Sequence, residues 1–351
     1  MKAIGIGIRR TRESKTLDVL YPHIYFDQTT IFEQLNNSFG INSTGFFKVN
    51  HVKLIEFIGQ QNLTECLDFV HPVLNTHHYY KQDIGIFALS SLEDEIQGVE
   101  DAYFRLQCLS QLHVKPHGIK LDGIFGVLNN IAWSNQGPIL VEDLSKEQTR
   151  ARLNAQNLNV SHVDKFPYMV DYHIPKGVRV VSGSQVRLGA HLATGTTVMP
   201  AGYVNFNAGT LGNAMIEGRV SAGVVVGNNT DVGGGASIMG TLSGGNKNII
   251  SIGEECLLGA NAGTGISLGF GCTIAAGVYV TAAAKIWLYN ENKEAIDIDG
   301  NRVEEGENIV KGAELNGKEK LLFLLDSTNG HITCRPNPKT IELNHSLHQN
   351  D

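Results

Sequence analysis

Glu217 and Arg219 are the pair in this 351-residue chain whose types and spacing speak most directly of chemistry. They stand two apart in Met215-Ile216-Glu217-Gly218-Arg219-Val220, and an extended backbone turns both toward one side. A carboxylate so placed can take or give a proton, and a guanidinium suits a phosphate or another carboxylate. The plain alternative is an ion pair on a solvated edge. Other reactive groups are sparse. Cys66, Cys108, Cys256, Cys272 and Cys334 are scattered, odd in number and form no CxxC pair, so neither a disulfide framework nor a cysteine zinc site is indicated. His191 is the one histidine between Val180 and Ala283. A lone histidine there is a structural residue more often than a metal ligand.

The elements around Glu217 advance in sixes. Val186, Leu192, Val198 and Val204 are evenly spaced, as are Val220, Val226, Val232 and Ile238, and then Leu268, Ile274 and Val280. The local phrase is aliphatic, any residue, aliphatic, glycine: Val186-Arg187-Leu188-Gly189, Val224-Val225-Val226-Gly227, Ile250-Ser251-Ile252-Gly253 and Ile266-Ser267-Leu268-Gly269. Thr230-Asp231-Val232-Gly233 repeats it with a β-branched Thr in first place. Helices want apolar spacings of three and four and ordinary strands want two. Six is the hexapeptide β-helix period: short strands joined by tight corners, aliphatic side chains inside. Three hexads close a coil, and coils stack at about 4.8 Å. Roughly a hundred residues make about five or six coils, more than the three or so such an array needs.

Two segments interrupt the pattern, Asn205–Met215 and Thr241–Asn248. Interruptions in a solenoid map to loops, where function concentrates. More than half of the 39 glycines lie in the repeat region. Hydrophobic content of 42% and charged content of 18% are ordinary for a soluble globular chain. A net charge of -7 argues against broad nucleic-acid binding and against an anionic membrane surface. Met1–Arg10 has too short an apolar run for a signal peptide, and no run reaches the eighteen or so residues of a membrane span. A reducing cytoplasm is the expected compartment.

Three domains are expected: a mixed α/β N-terminal domain over 1–164, the coil domain over 165–285, and a small β-rich extension and tail over 286–351. Within the first, Ala3–Ile8 and Ile84–Leu89 read as strands. Val52–Gln60 and Glu93–Leu112 read as helices, the second opening after Ser90-Ser91 with acidic residues in its first turn. Ile119–Val141 reads as strand with short turns. Leu144–Leu158 reads as a helix with Ser145 at its N-cap. Pro167 and Pro175 bias their predecessors away from helix, so the entry to the coils should be extended. After Ala284, hairpins are expected around Asp299-Gly300 and between Leu321–Leu325 and His331–Arg335.

Several stretches together resemble one family. They are Val204-Asn205-Phe206-Asn207-Ala208-Gly209-Thr210, Met215 to Gly223, Gly233-Gly234-Gly235-Ala236-Ser237-Ile238-Met239-Gly240-Thr241 onward to Gly245, Leu258-Gly259-Ala260-Asn261, the entry Lys165–Val180, and the closing Leu343-Asn344-His345-Ser346-Leu347-His348. The resemblance is to the tetrahydrodipicolinate N-succinyltransferases in their actinobacterial and pseudomonad form. It is dense from about 165 to 284, patchy beyond, and weak in the N-terminal domain. It implies a left-handed parallel β-helix assembled as a homotrimer, with small-molecule substrates and no nucleic-acid or membrane partner. The implied reaction moves the succinyl group of succinyl-CoA, a co-substrate rather than a resident cofactor, onto tetrahydrodipicolinate, on the route to diaminopimelate and lysine.

By that resemblance Glu217 is the catalytic carboxylate, acting as general base or through an acyl anhydride. Arg219, Gly234, Ser237, Ala260, Ala275, Ala276 and Ala283 fall at coenzyme-contacting positions, and Lys311 and Arg335-Pro336-Asn337 align with further ones beyond the coils. Some relatives hold a divalent cation through an Asp and a Glu; here Ser184 and Ala201 stand there, so no metal is expected. Residues 287–310 look like an insertion.

Rival readings remain. A γ-class carbonic anhydrase would need three zinc-binding histidines, and a sugar nucleotidyltransferase would need more glycines than Ile4-Gly5-Ile6-Gly7-Ile8-Arg9-Arg10 supplies. Another acyl-CoA N-acyltransferase on the same coils is the nearest alternative among enzymes. A non-catalytic solenoid, scaffold or surface binder, is the alternative outside them, although Thr194, Thr196 and Thr197 start no threonine ladder.

Overall fold

The computed structural model describes residues 2–63, 77–242 and 248–338. Cys66, Ser243-Gly244-Gly245 and the closing Leu343–His348 motif lie outside the described residues. The chain divides into two compact units, one of residues 1–108, 118–167 and 171–173, the other of 109–117, 168–170 and 174–351.

The first unit is built on an antiparallel sheet. Strands β1 (Ala3–Arg12), β2 (Lys15–Leu20), β3 (Ile24–Phe26), β4 (Gly45–Lys48) and β5 (Lys81–Leu89) pair in the order β2-β1-β5-β4, with β3 also on β1. Ile4 and Ile6 send their side chains to a cluster with Leu35 of helix α1 (Thr29–Phe39) and Leu54, Phe57 and Ile58 of helix α2 (His51–Gln60). Asn50 caps α2, its side chain accepting from the amides of Val52 and Lys53. Gly5 and Gly7 are not a nucleotide loop. They lie inside β1, where a Cβ on Gly7 would sit 2.5 Å from the Tyr21 ring and one on Gly5 2.9 Å from Phe104.

Three expected elements shift. The helix expected over Glu93–Leu112 is shorter, α3 (Val99–Ser110), because Asp94 and Ser91 tie 91–94 into a turn and Asp101 accepts the Gln97 amide ahead of the first full turn. Between 119 and 141 the chain forms a short helix α4 (Ile124–Val127) before the hairpin β6 (Ile131–Ser134) and β7 (Gly137–Leu140), with β8 (Val160–Asp164) paired to β6. Helix α5 (Leu144–Leu153) ends five residues early: Asn154 turns its side chain back onto the Arg150 carbonyl and Ala155 takes a φ of 50°. Its N-cap is Asp143, without a side-chain cap bond, and not Ser145.

The second unit is a parallel β-helix with three faces. Face one runs through Val180, Val198, Ile216, Val232, Leu258, Ile274 and Phe323. Face two runs through Leu192, Thr210, Val226, Ile252 and Leu268. Face three runs through Val186, Val204, Val220, Ile238, Thr264 and Val280. All these ladder residues except Val180 are buried, and the aliphatic ones form one continuous core. Full burial of each such side chain is worth about 1.5–3 kcal/mol.

The expected interruption at Asn205–Met215 is absent. Hexads run unbroken from Val186 to Ile216, with Thr210 in a ladder position. Its hydroxyl is satisfied internally, 2.6 Å from Thr196 Oγ1 and accepting from the Ala193 amide. The true breaks are phase slips. Ladder spacing falls to four between Ile216 and Val220 and again between Thr264 and Leu268, and lengthens between Ile238 and Ile252. The last of these spans the expected Thr241–Asn248 break, whose flanks are joined by an antiparallel Thr241–Ile249 bridge.

Beyond the coils, Leu321–Leu325 pairs in parallel with Thr273–Ile274 and forms a hairpin with Ile332–Pro336, covering the end of face one. The expected turn at Asp299-Gly300 is present, closed by an Ile296–Arg302 bridge. The entry segment contains a short 3-10 turn at Met169–Asp171 rather than continuous extended chain, and a second such turn, Gly183–Gln185, follows it.

Candidate functional site

Glu217 sits in a phase slip. Its corner, between faces one and three, has three residues, Glu217-Gly218-Arg219, where the corners before and after have five, Met199–Tyr203 and Gly233–Ser237. The short corner is set back between its neighbours: Ala201 and Gly235 are exposed, whereas Glu217 is half-buried and Gly218 buried. The Glu217 amide donates to Val232 O at 2.8 Å and its carbonyl accepts from Gly235 at 3.1 Å, locking it to the next rung.

The sequence left open an ion pair between Glu217 and Arg219, and none forms. Arg219 is exposed and donates from Nη2 to Ser237 Oγ at 2.7 Å, in register on the next rung. No side-chain partner of the Glu217 carboxylate occurs among the described residues. A half-buried carboxylate without a neutralising partner is free to accept a proton from a ligand.

The same corner carries Gly234, Ala260 and Ala276 on successive rungs. Asn261 donates to the Gly234 carbonyl and Gly277 to the Ala260 carbonyl, both at 2.9 Å. The amides of Gly234, Ala260 and Ala276 have no acceptor among the described residues. Glycine and alanine keep these N–H groups open to a ligand, so the corner presents a line of donors leading away from Glu217. Ala275 lies beside this line, its own amide bound to Phe323 O.

On face three the outward row beside the corner reads Tyr203, Arg219, Ser237, Gly263, Tyr279. Tyr279 lays its ring across Gly263, where a Cβ would meet ring atoms at 2.2 to 2.6 Å. Sequence reading missed this pair; the signal available was a glycine at a position where other rungs carry side chains.

The remaining candidates are dispersed. Arg335, half-buried, pairs with Leu322 on the outward row of face one, several rungs from Glu217, with exposed Pro336 beyond it. Asn337 is a tether: its side chain donates to Gly271 O at 2.9 Å and Thr273 Oγ1 at 3.0 Å. Ala283 is exposed in the turn between Tyr279–Val280 and the strand Lys285–Leu288, and Lys311 stands opposite Lys285 past the last coil. Ser184 contacts Ser182 through their hydroxyls, and Ala201 turns a corner at φ 69°. Among the described residues no group of three or more His, Cys, Asp or Glu is arranged to hold a metal.

Other reactive side chains are withdrawn. His191 is buried with Nδ1 3.0 Å from Val114 O, and burial lowers its pKa. All four described cysteines are buried, and burial pushes the Cys334 thiol up to about 12. A cavity of about 720 Å³ in the first unit, lined by Arg10, Trp133 and Tyr172 among others, shares no residue with the Glu217 corner.

Comparison with known proteins is consistent along the chain. Residues 128–168 match the family described as "Tetrahydrodipicolinate N-succinyltransferase middle", and residues 249–282 match "Hexapeptide repeat of succinyl-transferase". A Vibrio cholerae protein named 2,3,4,5-tetrahydropyridine-2,6-dicarboxylate N-succinyltransferase is 53% identical over 271 residues, 77% of this chain and 76% of its own length. A Pseudomonas putida protein of the same name is 49% identical over 253 residues, 72% of this chain and 70% of its own. A solved Campylobacter jejuni structure, described as a candidate 2,3,4,5-tetrahydropyridine-2-carboxylate N-succinyltransferase, superposes with a TM-score of 0.80 at 34% identity, covering 97% of this chain and 93% of that one.

Proposed function

This chain belongs to the tetrahydrodipicolinate N-succinyltransferase family, and on that footing we propose that it transfers the succinyl group of succinyl-CoA to tetrahydrodipicolinate with Glu217 as the proton-handling group. The observation that carries the assignment of the site is the unpaired, recessed Glu217 carboxylate at the head of a line of free amides. The reaction is an acyl-CoA-dependent step in diaminopimelate and lysine biosynthesis, and succinyl-CoA is consumed rather than retained.

The chemistry asks for two things that this corner supplies. Water opens the cyclic imine of the acceptor to a free amine; that amine attacks the thioester carbonyl, a C–N bond forms, and the C–S bond breaks as CoA leaves. The amine must lose a proton, and Glu217 is the group placed to take it and pass it to the departing sulfur. The carbonyl oxygen gains negative charge, and Gly234, which faces the carboxylate, offers an unbound amide as a donor. The same carboxylate could instead attack the thioester and form an anhydride, which the amine then opens.

Ala260 and Ala276 would let the pantetheine arm lie against the backbone, its amides meeting the open N–H groups. Arg219, held by Ser237, supplies positive charge on the adjoining face, and Arg335 and Lys311 supply it farther along. The family further implies left-handed winding of the coils and a homotrimer. Among the described residues no helix is long and apolar enough to cross a membrane, and a cytoplasmic location fits the substrates.

The test is release of CoA on mixing protein, tetrahydrodipicolinate and succinyl-CoA, with acetyl-CoA in parallel. Turnover with succinyl-CoA well above that with acetyl-CoA is expected. Turnover with acetyl-CoA alone would assign the chain to another acyl group, and no binding of either coenzyme would point to an inert solenoid.

A further inference from the structure

The outward row of face three places Tyr279 in line with Arg219 and Ser237, with Gly263 between. Three observations single it out. Tyr279 is 38% exposed, a large surface side chain beside the candidate site. It does not stand out from its own rung. The absence of a Cβ at Gly263 lets the ring fold back over that residue, with Cδ2, Cε2 and Cζ all within 2.6 Å of where a Cβ would be. The ring therefore leans from its own rung over the Gly263 rung, which lies between Tyr279 and Ser237. The phenol hydroxyl has no partner among the described residues.

A guanidinium anchored by a serine and a phenol donor on the same outward row make a two-sided cradle for a carboxylate. Arg219 offers N–H groups from one side of Ser237 and Tyr279 an O–H from the other, and charge-assisted bonds of both kinds are the strong class. No acidic side chain among the described residues pairs with Arg219, so the charge is available.

Resting on the succinyl-transfer reading, we propose that Tyr279, seated on Gly263, is a specificity-determining residue that binds a substrate carboxylate together with Arg219. The carboxylate is either the distal one of the succinyl group or one of those on the dicarboxylate acceptor. Both substrates carry the required group, and the two sources separate experimentally. The step involves binding only; no bond forms or breaks at Tyr279.

The experiment compares the parent, Tyr279→Phe and Gly263→Ala. Phenylalanine keeps the ring and removes the donor. Alanine keeps the phenol but pushes the ring off its seat, and the backbone at Gly263 is not in the left-handed region. Circular dichroism checks that both fold. A hydrogen bond to a charged group is worth about a tenfold or larger change in specificity. If the ligand is the succinyl carboxylate, both variants lose roughly tenfold or more of the succinyl-CoA over acetyl-CoA preference, with kcat nearly unchanged. If it belongs to the acceptor, KM for tetrahydrodipicolinate rises by a similar factor and the acyl preference stays. Either result supports the proposal. Both quantities within twofold of the parent, or a fall in kcat alone, would overturn it. A parent that fails to turn over succinyl-CoA would instead remove the reading beneath it.

Discussion

A Cβ placed on Gly234 would lie 3.7 Å from Oε2 of Glu217, so the glycine of one rung walls the carboxylate of the rung before. The space is ample for one methyl group and too small for a branched side chain together with a substrate. Gly234→Ala should keep most activity. Gly234→Val should keep the fold, since this corner projects from the solenoid, yet lower kcat/KM about a hundredfold by displacing the reacting groups. Steady-state kinetics on both variants checks this, and equal activity of the two would show that the notch is not occupied during turnover.

Glu217→Gln preserves shape and removes the proton acceptor. Turnover should fall about a hundredfold or more, the usual scale for an acid–base group. The side chain is outside the buried ladder, so thermal stability should change by less than about 1 kcal/mol. Activity within a fewfold of the parent would mean that the carboxylate is a bystander.

Arg219→Ala should act mainly on binding, raising KM for succinyl-CoA about tenfold or more with a smaller effect on kcat. Ser237→Ala removes only the hydroxyl that holds the guanidinium at 2.7 Å. It should shift the same constant in the same direction by a few fold. A serine variant worse than the arginine variant would contradict the view that Ser237 acts through Arg219.

His191 gives the fold an acid-side dependence. Burial lowers its pKa from the ordinary 6.5, with Lys115 adding repulsion and the Val114 carbonyl opposing the shift. The folded state thus prefers the neutral ring. Its stabilising contribution is complete above 6.5 and is lost as pH falls from there through the lower folded pKa. Melting temperature should decline across that window, and His191→Gln should flatten the decline while lowering stability at pH 8. An unchanged slope in the variant would assign the acid sensitivity elsewhere.

The assembly is expected to be a homotrimer, because flat faces of small side chains suit packing against copies and cyclic closure is a common solution. Light scattering on an active preparation should return three times the 38.2 kDa chain mass. A monomer that is fully active would refute it.

Much of the solenoid was legible in sequence because interior aliphatics report their own period. Val186 to Val204 and Val220 to Ile238 need no partner to be recognised. Thr210 hid a regular hexad, since a threonine is polar on any scale until its hydroxyl is seen bonded to Thr196 inside the coil. Glu217 and Arg219 stood out by type, but their separation did not: nearness in sequence suggested an ion pair, and stacking gave Arg219 a partner eighteen residues away instead. Tyr279 and Gly263 could not be paired from sequence, because registration across rungs depends on every intervening slip. In the first unit, element types were read better than their ends. Helix α5 stops where Asn154 folds onto the backbone, a local competition that hydrophobic spacing does not encode.

The two residues missing from the Glu217 corner have a consequence for how such a molecule can change. A perfectly regular solenoid has a smooth edge and nowhere to shelter a charge; here the irregularity itself is the cavity-former. Restoring the hexad by a two-residue insertion after Glu217 would leave the interior ladder intact, since the coils on either side already carry five-residue corners there. It would nonetheless bring the carboxylate out level with its neighbours and erase the recess. Stability and activity are therefore separable at this point of the chain, and departures from period mark where a repeat protein has room to acquire chemistry.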